Sequence, residues 1–177
     1  MNSRDLIWGL VLCLTLCAAV VDWRSRRIPN WLTVPGLVVG VVAHTLISRW
    51  PGAKLSLEGA GLALGLLLPF VLLRALGAGD WKLMGAVGAF LGPVLILFIL
   101  LGSVFVAGIM ALVEAIRTGR LKETVVNMAV LVQGFVVFGL RPNARISLDN
   151  PKALKLPFGV AVATATILCF IAARRAL

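Results

Sequence analysis

The chain is built of long apolar runs separated by short polar punctuation. A membrane-crossing helix needs about 20 mostly apolar residues, within a range of about 17–25. The first run covers roughly Leu6–Val21. It is stopped by Asp22-Trp23-Arg24-Ser25-Arg26-Arg27-Ile28-Pro29-Asn30, whose three arginines end the apolar stretch and whose proline holds Ile28 extended. A second run, about Trp31–Ile47, ends at SRWPG, and a third, about Leu57–Leu76, ends at GAGD. Trp81–Ile116 is too long for one span, and Gly92-Pro93 divides it. Its first part, Leu83–Leu91, is short for a crossing and calls for tilt or for shielding by neighbouring helices. The second part, Val94–Ile116, is long enough. The last run is Leu156–Ala173. Val125–Leu140 is apolar but holds Asn127, Gln133 and two glycines, so it fits either a seventh span or an interfacial helix. The pattern predicts an all-α, polytopic membrane helix bundle of about six transmembrane helices in one domain, 1–177. A cytoplasmic loop, with an interfacial helix as one option, covers about 118–155.

Composition agrees with that class. The 177 residues are 60% hydrophobic and 14% charged, with a mean hydropathy of +1.04. A soluble domain carries about 25% charged residues. The first run is followed by its positive cluster, the reverse of a cleaved signal peptide, and reads as a retained span.

The 17 basic and 7 acidic residues give a net charge of +10. In a soluble protein that excess suggests nucleic acid. Here the basic residues lie between apolar runs, where topology accounts for them, and no nucleic-acid partner is expected. With six spans, twelve fall on one side (Arg24, Arg26, Arg27, Arg74, Lys82, Arg117, Arg120, Lys122, Arg141, Arg145, Lys152, Lys155) and five on the other (Arg4, Arg49, Lys54, Arg174, Arg175). With seven the split is ten against seven. The positive-inside rule favours six, with both termini outside and the lipid bilayer as partner. Cys13, Cys17 and Cys169 sit inside apolar runs with no CxxC pair, so they read as small buried or lipid-facing side chains and not as a metal or redox motif. His44, alone in the second span, reads as a packed or interfacial residue.

Acidic residues are scarce, and an ionisable group near a membrane span needs a reason. Asp22 closes the first span and Asp80 lies between the third and fourth. Two spans separate them, so both face one membrane edge. Two carboxylates at close range cannot both ionise and share one proton. The ionised member then takes a proton from water while the neutral one donates to a carbonyl oxygen, which is the chemistry of peptide hydrolysis. Asp80 sits in Gly77-Ala78-Gly79-Asp80, where glycines let another backbone come close. Gly85 and Gly88 follow at a spacing that permits tight helix contact. Simpler roles stay open from position alone: Asp22 pairing with Arg24 or Arg26, Asp80 capping the helix after it, and Glu114 pairing with Arg117 on the surface.

Two blocks resemble the prepilin peptidases, the GxGD membrane aspartic proteases of type IV pilin systems. Asp22 to Asn30 is similar to that family's pattern of an aspartate, basic residues and Ile-Pro-Asn. Gly77-Ala78-Gly79-Asp80-Trp81-Lys82-Leu83 is similar to its GxGD-x-K-[LM] pattern. Leu156-Pro157-Phe158-Gly159 also resembles the start of the family's last helix, while Arg117–Lys155 matches no motif.

The resemblance implies catalytic roles for Asp22 and Asp80, with Gly77, Gly79, Lys82, Pro29 and Asn30 in support. It implies no metal or organic cofactor, and a prepilin or pseudopilin substrate cut at the cytoplasmic face of the bacterial cell membrane, after a glycine. The larger bifunctional relatives carry a cysteine-bearing cytoplasmic domain between the first two spans, linked to methylation. Here that connection is only Asp22–Asn30, so the small peptidase-only type is expected, without methyltransferase activity. The alternatives are a GxGD intramembrane protease of other substrates, a non-catalytic component of a secretion machine, and a transporter using the two acids for protons.

Overall fold

The computed structural model describes residues 3–127, 129 and 156–175. Among these, all regular structure is helical: α1 (Ser3–Ser25), α2 (Asn30–Leu72), α3 (Ala78–Arg117) and α4 (Phe158–Arg175), with residues 121–127 forming a further short helix. Apart from residue 129, the stretch 128–155 lies outside the described residues, and with it most of the ambiguous Val125–Leu140 run and of the expected cytoplasmic loop.

Four described helices are long and apolar enough to cross a membrane, not the six expected. The difference lies at two breaks that the sequence marks but that are not loops. At 43 residues, α2 would be about 64 Å long if straight, twice the ~30 Å hydrocarbon core. It is interrupted by one residue, Arg49 (φ 52°, ψ −133°). In the 40 residues of α3, Gly92 (φ 75°, ψ 179°) interrupts in the same way just before Pro93. Each long helix is therefore two rods joined by a single non-helical residue.

Contacts along α3 show that α2 folds back on itself. Lys82 bonds Asn30 and Phe90 bonds His44, so the first rod of α2 runs alongside α3. Trp81 Nε1 donates to the Leu64 carbonyl and Ser56 Oγ to that of Ala89, so the second rod runs against it. Gly59 and Gly88 meet backbone to backbone, each occupying the space where the other would carry a Cβ. That approach is open only to residues without side chains. The short rod expected to need shielding receives it: every residue from Leu83 to Gly92 is buried.

The break in α3 has its hydrogen bonds accounted for. Pro93 has no N–H for the Ala89 carbonyl, and Ser56 Oγ takes that place at 2.7 Å. The Phe90 carbonyl, at the same break, receives His44 Nε2 at 2.6 Å. His44 is thus a packed residue with a defined partner.

α1 and α4 lie antiparallel. At one end Arg174 reaches Asp5 at 3.4 Å and stacks over Phe170, whose ring is 5.4 Å from that of Trp8. At the other end α4 begins beside Asp22. Outside, Leu46 is 80% exposed, Phe105 71% and Leu101 67%. Lipid covers such side chains at no cost, whereas water would not. Trp23 and Trp31, exposed near the Asp22 end, and Trp50, exposed near the Arg49 reversal, suit the two interfacial belts of a membrane protein.

Candidate active site

The Asp22–Asn30 and Gly77–Leu83 segments, about 50 residues apart in sequence, are docked on each other. Pro29 (φ −76°, ψ 151°) keeps the chain extended ahead of α2, and its carbonyl accepts the N–H groups of Leu32 and Thr33. That places the Ile28 backbone against Gly79, where an added Cβ would lie 2.7 Å from the Ile28 oxygen. Lys82 Nζ then donates to Asn30 Oδ1 at 2.9 Å. Gly79, Pro29, Asn30 and Lys82 together form the clasp between the two segments.

The turns leading into these segments are tight. Arg26 (φ 53°) and Arg74 (φ 55°) adopt left-handed backbone after α1 and α2. Glycine usually fills such a position, and another residue there costs about 1–2 kcal/mol. Arg26 N–H closes on the Asp22 carbonyl, and Arg74 stands three residues before Gly77.

Asp22, in the last turn of α1, is only 4% exposed. Its Oδ2 accepts the Gly159 backbone N–H at 2.8 Å. The first N–H groups of any helix lack intrahelical partners, and Pro157, just ahead of α4, has no side-chain acceptor to offer. Asp22 supplies one from 137 residues away. The Arg26 guanidinium acts on Asp22 through its charge, but the hydrogen bond goes to α4.

Asp80 is the third residue of α3, with Gly77 at the N-cap. It is therefore not the cap itself. Its carboxylate takes the Gly77 N–H, reaching back as the third helical residue does in a capping box. Asp22 lies near enough for its charge to act on Asp80. The two acids thus lie within electrostatic reach of each other at one end of the bundle, and the five supporting residues singled out from the sequence, Gly77, Gly79, Lys82, Pro29 and Asn30, lie in the two segments that carry them.

Next to the end of α1 that carries Asp22, though lined by neither acid, is a cleft of about 330 Å³ whose walls include Trp23, Arg26, Met110, Val113, Glu114 and Pro157. Glu114 borders this cleft, and among the described residues no ion pair joins it to Arg117. No three His, Cys, Asp or Glu side chains cluster among the described residues.

Sequence reasoning assigned no role to Gly159, Ser56 or His44 as hydrogen-bonding partners. A backbone N–H leaves no trace in sequence, so Gly159 had no signal beyond the Pro-Phe-Gly run itself. Pro93 inside an apolar run does announce a carbonyl in need of a donor, and the few polar residues in and just ahead of the second and third runs are the candidates.

Residues 9–112 match the type IV leader peptidase family, a range that holds both motif segments and ends before α4. A Legionella pneumophila protein described as "Prepilin leader peptidase/N-methyltransferase" is 30% identical over 123 residues. The match covers 66% of this chain and 43% of that protein, so the chain spans less than half the length of this curated relative. No solved structure matches the chain.

Proposed function

The chain belongs to the type IV leader peptidase family, and from that premise we propose that it is a membrane aspartic endopeptidase that removes the leader of prepilin-like proteins. The observation that carries this reading is the convergence of Asp22 and Asp80 at one end of the bundle. They come from two motif segments clasped through Gly79–Ile28 and Lys82–Asn30.

The pair holds one proton between its two carboxyls. Water lies between them and the scissile carbonyl. The ionised carboxylate accepts a proton from this water as its oxygen attacks the carbonyl carbon, and the neutral carboxyl donates its proton to the carbonyl oxygen. The C–N bond of the tetrahedral intermediate then breaks. The amine leaves with the proton taken from water, and the hydroxyl proton returns to the pair as the new carboxyl group forms. No metal or cofactor enters the cycle.

The substrate is a short leader ending in glycine ahead of an apolar helix. A glycine lets an extended strand lie close to the clasped turns. The site faces the cytoplasm of the bacterial cell membrane, in line with the basic residues gathered at the Asp22 end. The short Asp22–Asn30 connection leaves no room there for a methylating domain, so the activity is peptidase only.

Asp80→Asn tests the reading. Co-expressed with a prepilin-type substrate, it inserts normally and leaves the leader uncut. Cleavage at the unsubstituted rate removes Asp80 from the site. Transfer of a labelled methyl group to the processed N-terminus by the purified protein refutes the peptidase-only assignment.

A further inference from the structure

The match to the family stops at residue 112, yet the structure ties the last helix directly to one of the two acids. We propose that Gly159 is a positioning residue of the active site: its backbone N–H fixes the Asp22 carboxylate, and its lack of a side chain lets α4 come close enough to do so. The proposal rests on the peptidase reading above and deepens it.

Three observations carry it. The Gly159 N–H to Asp22 Oδ2 bond is 2.8 Å long and buried. A Cβ on Gly159 would stand 3.1 Å from both Asp22 Cβ and Asp22 Oδ2, and 3.2 Å from the Ala18 carbonyl oxygen. Contacts that close force the neighbours apart, and the nearest neighbour is the acid itself. Finally, α4 packs against both α1 and α3 far more extensively than those two pack against each other. The helices that carry Asp22 and Asp80 are therefore aligned largely through α4, whose first turn holds Asp22.

The bond orients the carboxylate. Held at Oδ2, the carboxylate plane is set in rotation, and with it the direction from which the acid meets the reacting water. Fixed orientation of this kind is worth much in rate, since misplacement by about 1 Å costs about a hundredfold.

The experiment compares Gly159→Ala with Gly102→Ala. Gly102 lies on α3 against Ala165 of α4, where an added Cβ would be 3.2 Å from the Ala165 Cβ. It is a similar crowding of the same helix away from the acids. The substrate probe is a synthetic peptide with a short leader ending in glycine and followed by an apolar helix, presented in proteoliposomes. With Gly159→Ala, kcat falls about tenfold to a hundredfold while KM holds, the mark of an interaction made at the reacting centre. Gly102→Ala keeps the unsubstituted kcat. A Gly159→Ala variant at full rate, or equal losses in the two variants, overturns the proposal.

Selective ¹⁵N-glycine labelling adds a readout independent of turnover. The Gly159 amide proton, identified by its loss in Gly159→Ala, shifts upfield in Asp22→Ala and stays in place in Gly102→Ala. An amide indifferent to Asp22→Ala also overturns the proposal. Failure of the underlying reading has a separate signature, retained cleavage in Asp80→Asn.

Discussion

Asp22 holds two jobs that asparagine and alanine separate. One is to cap α4 through Oδ2. The other, in the proposed mechanism, is to exchange a proton with water. Asparagine keeps an oxygen acceptor of the same size and reach, so Asp22→Asn retains the bond to Gly159. Exchanging a charged acceptor for a neutral one weakens it by about 1 kcal/mol. Alanine leaves the Gly159 N–H buried without a partner, a loss of about 1–3 kcal/mol, in line with the ~1 kcal/mol typical of a lost helix cap. For activity the order differs. Asparagine can neither accept nor share the proton, so cleavage falls by about 10²–10⁴, and alanine does no better. The assay pairs leader cleavage in proteoliposomes with thermal unfolding followed by tryptophan fluorescence in the same preparation. The expected pattern is two inactive variants, of which asparagine melts near the unsubstituted protein and alanine clearly below it. An Asp22→Asn variant that still cuts at more than about a tenth of the normal rate refutes the role in proton transfer. Equal melting of the two variants refutes the cap.

Other substitutions probe the scaffold. Gly88→Ala drives a Cβ into the Gly59 carbonyl and, as overpacking, destabilises by about 1–3 kcal/mol or more, read as a lower melting point or as failure to insert. Ser56→Ala leaves the Ala89 carbonyl at the α3 break without its donor, at about 1–3 kcal/mol. The variant cuts substrate normally at low temperature but loses activity earlier on heating. Asp5→Asn removes an exposed ion pair to Arg174 at 3.4 Å and changes stability by less than about 1 kcal/mol, so its melting curve overlies the original.

The sequence exposes some of this architecture and hides the rest. Apolar runs and their breaks locate the rods, because burying peptide groups in lipid forces helix wherever the chain is apolar. The same runs cannot reveal that SRWPG and Gly92-Pro93 are crossed by one non-helical residue each, since reversal angle is set by packing between rods. Asp22 and Asp80 stand out in the sequence through their motifs, and the structure docks the two segments that carry them on each other. Their clasp was half legible: Gly79, Pro29, Asn30 and Lys82 were named, but the Lys82–Asn30 bond needs coordinates. The cap on α4 was not legible, for it joins a side chain to a backbone group, and any residue except proline has that group.

The bond between residues 22 and 159 also orders events in time. A ribosome delivers Asp22 137 residues ahead of Gly159, so the first helix waits in the membrane, its carboxylate without this donor, until α4 has been made. Only when α4 docks does the end of α1 gain the contact that orients its acid.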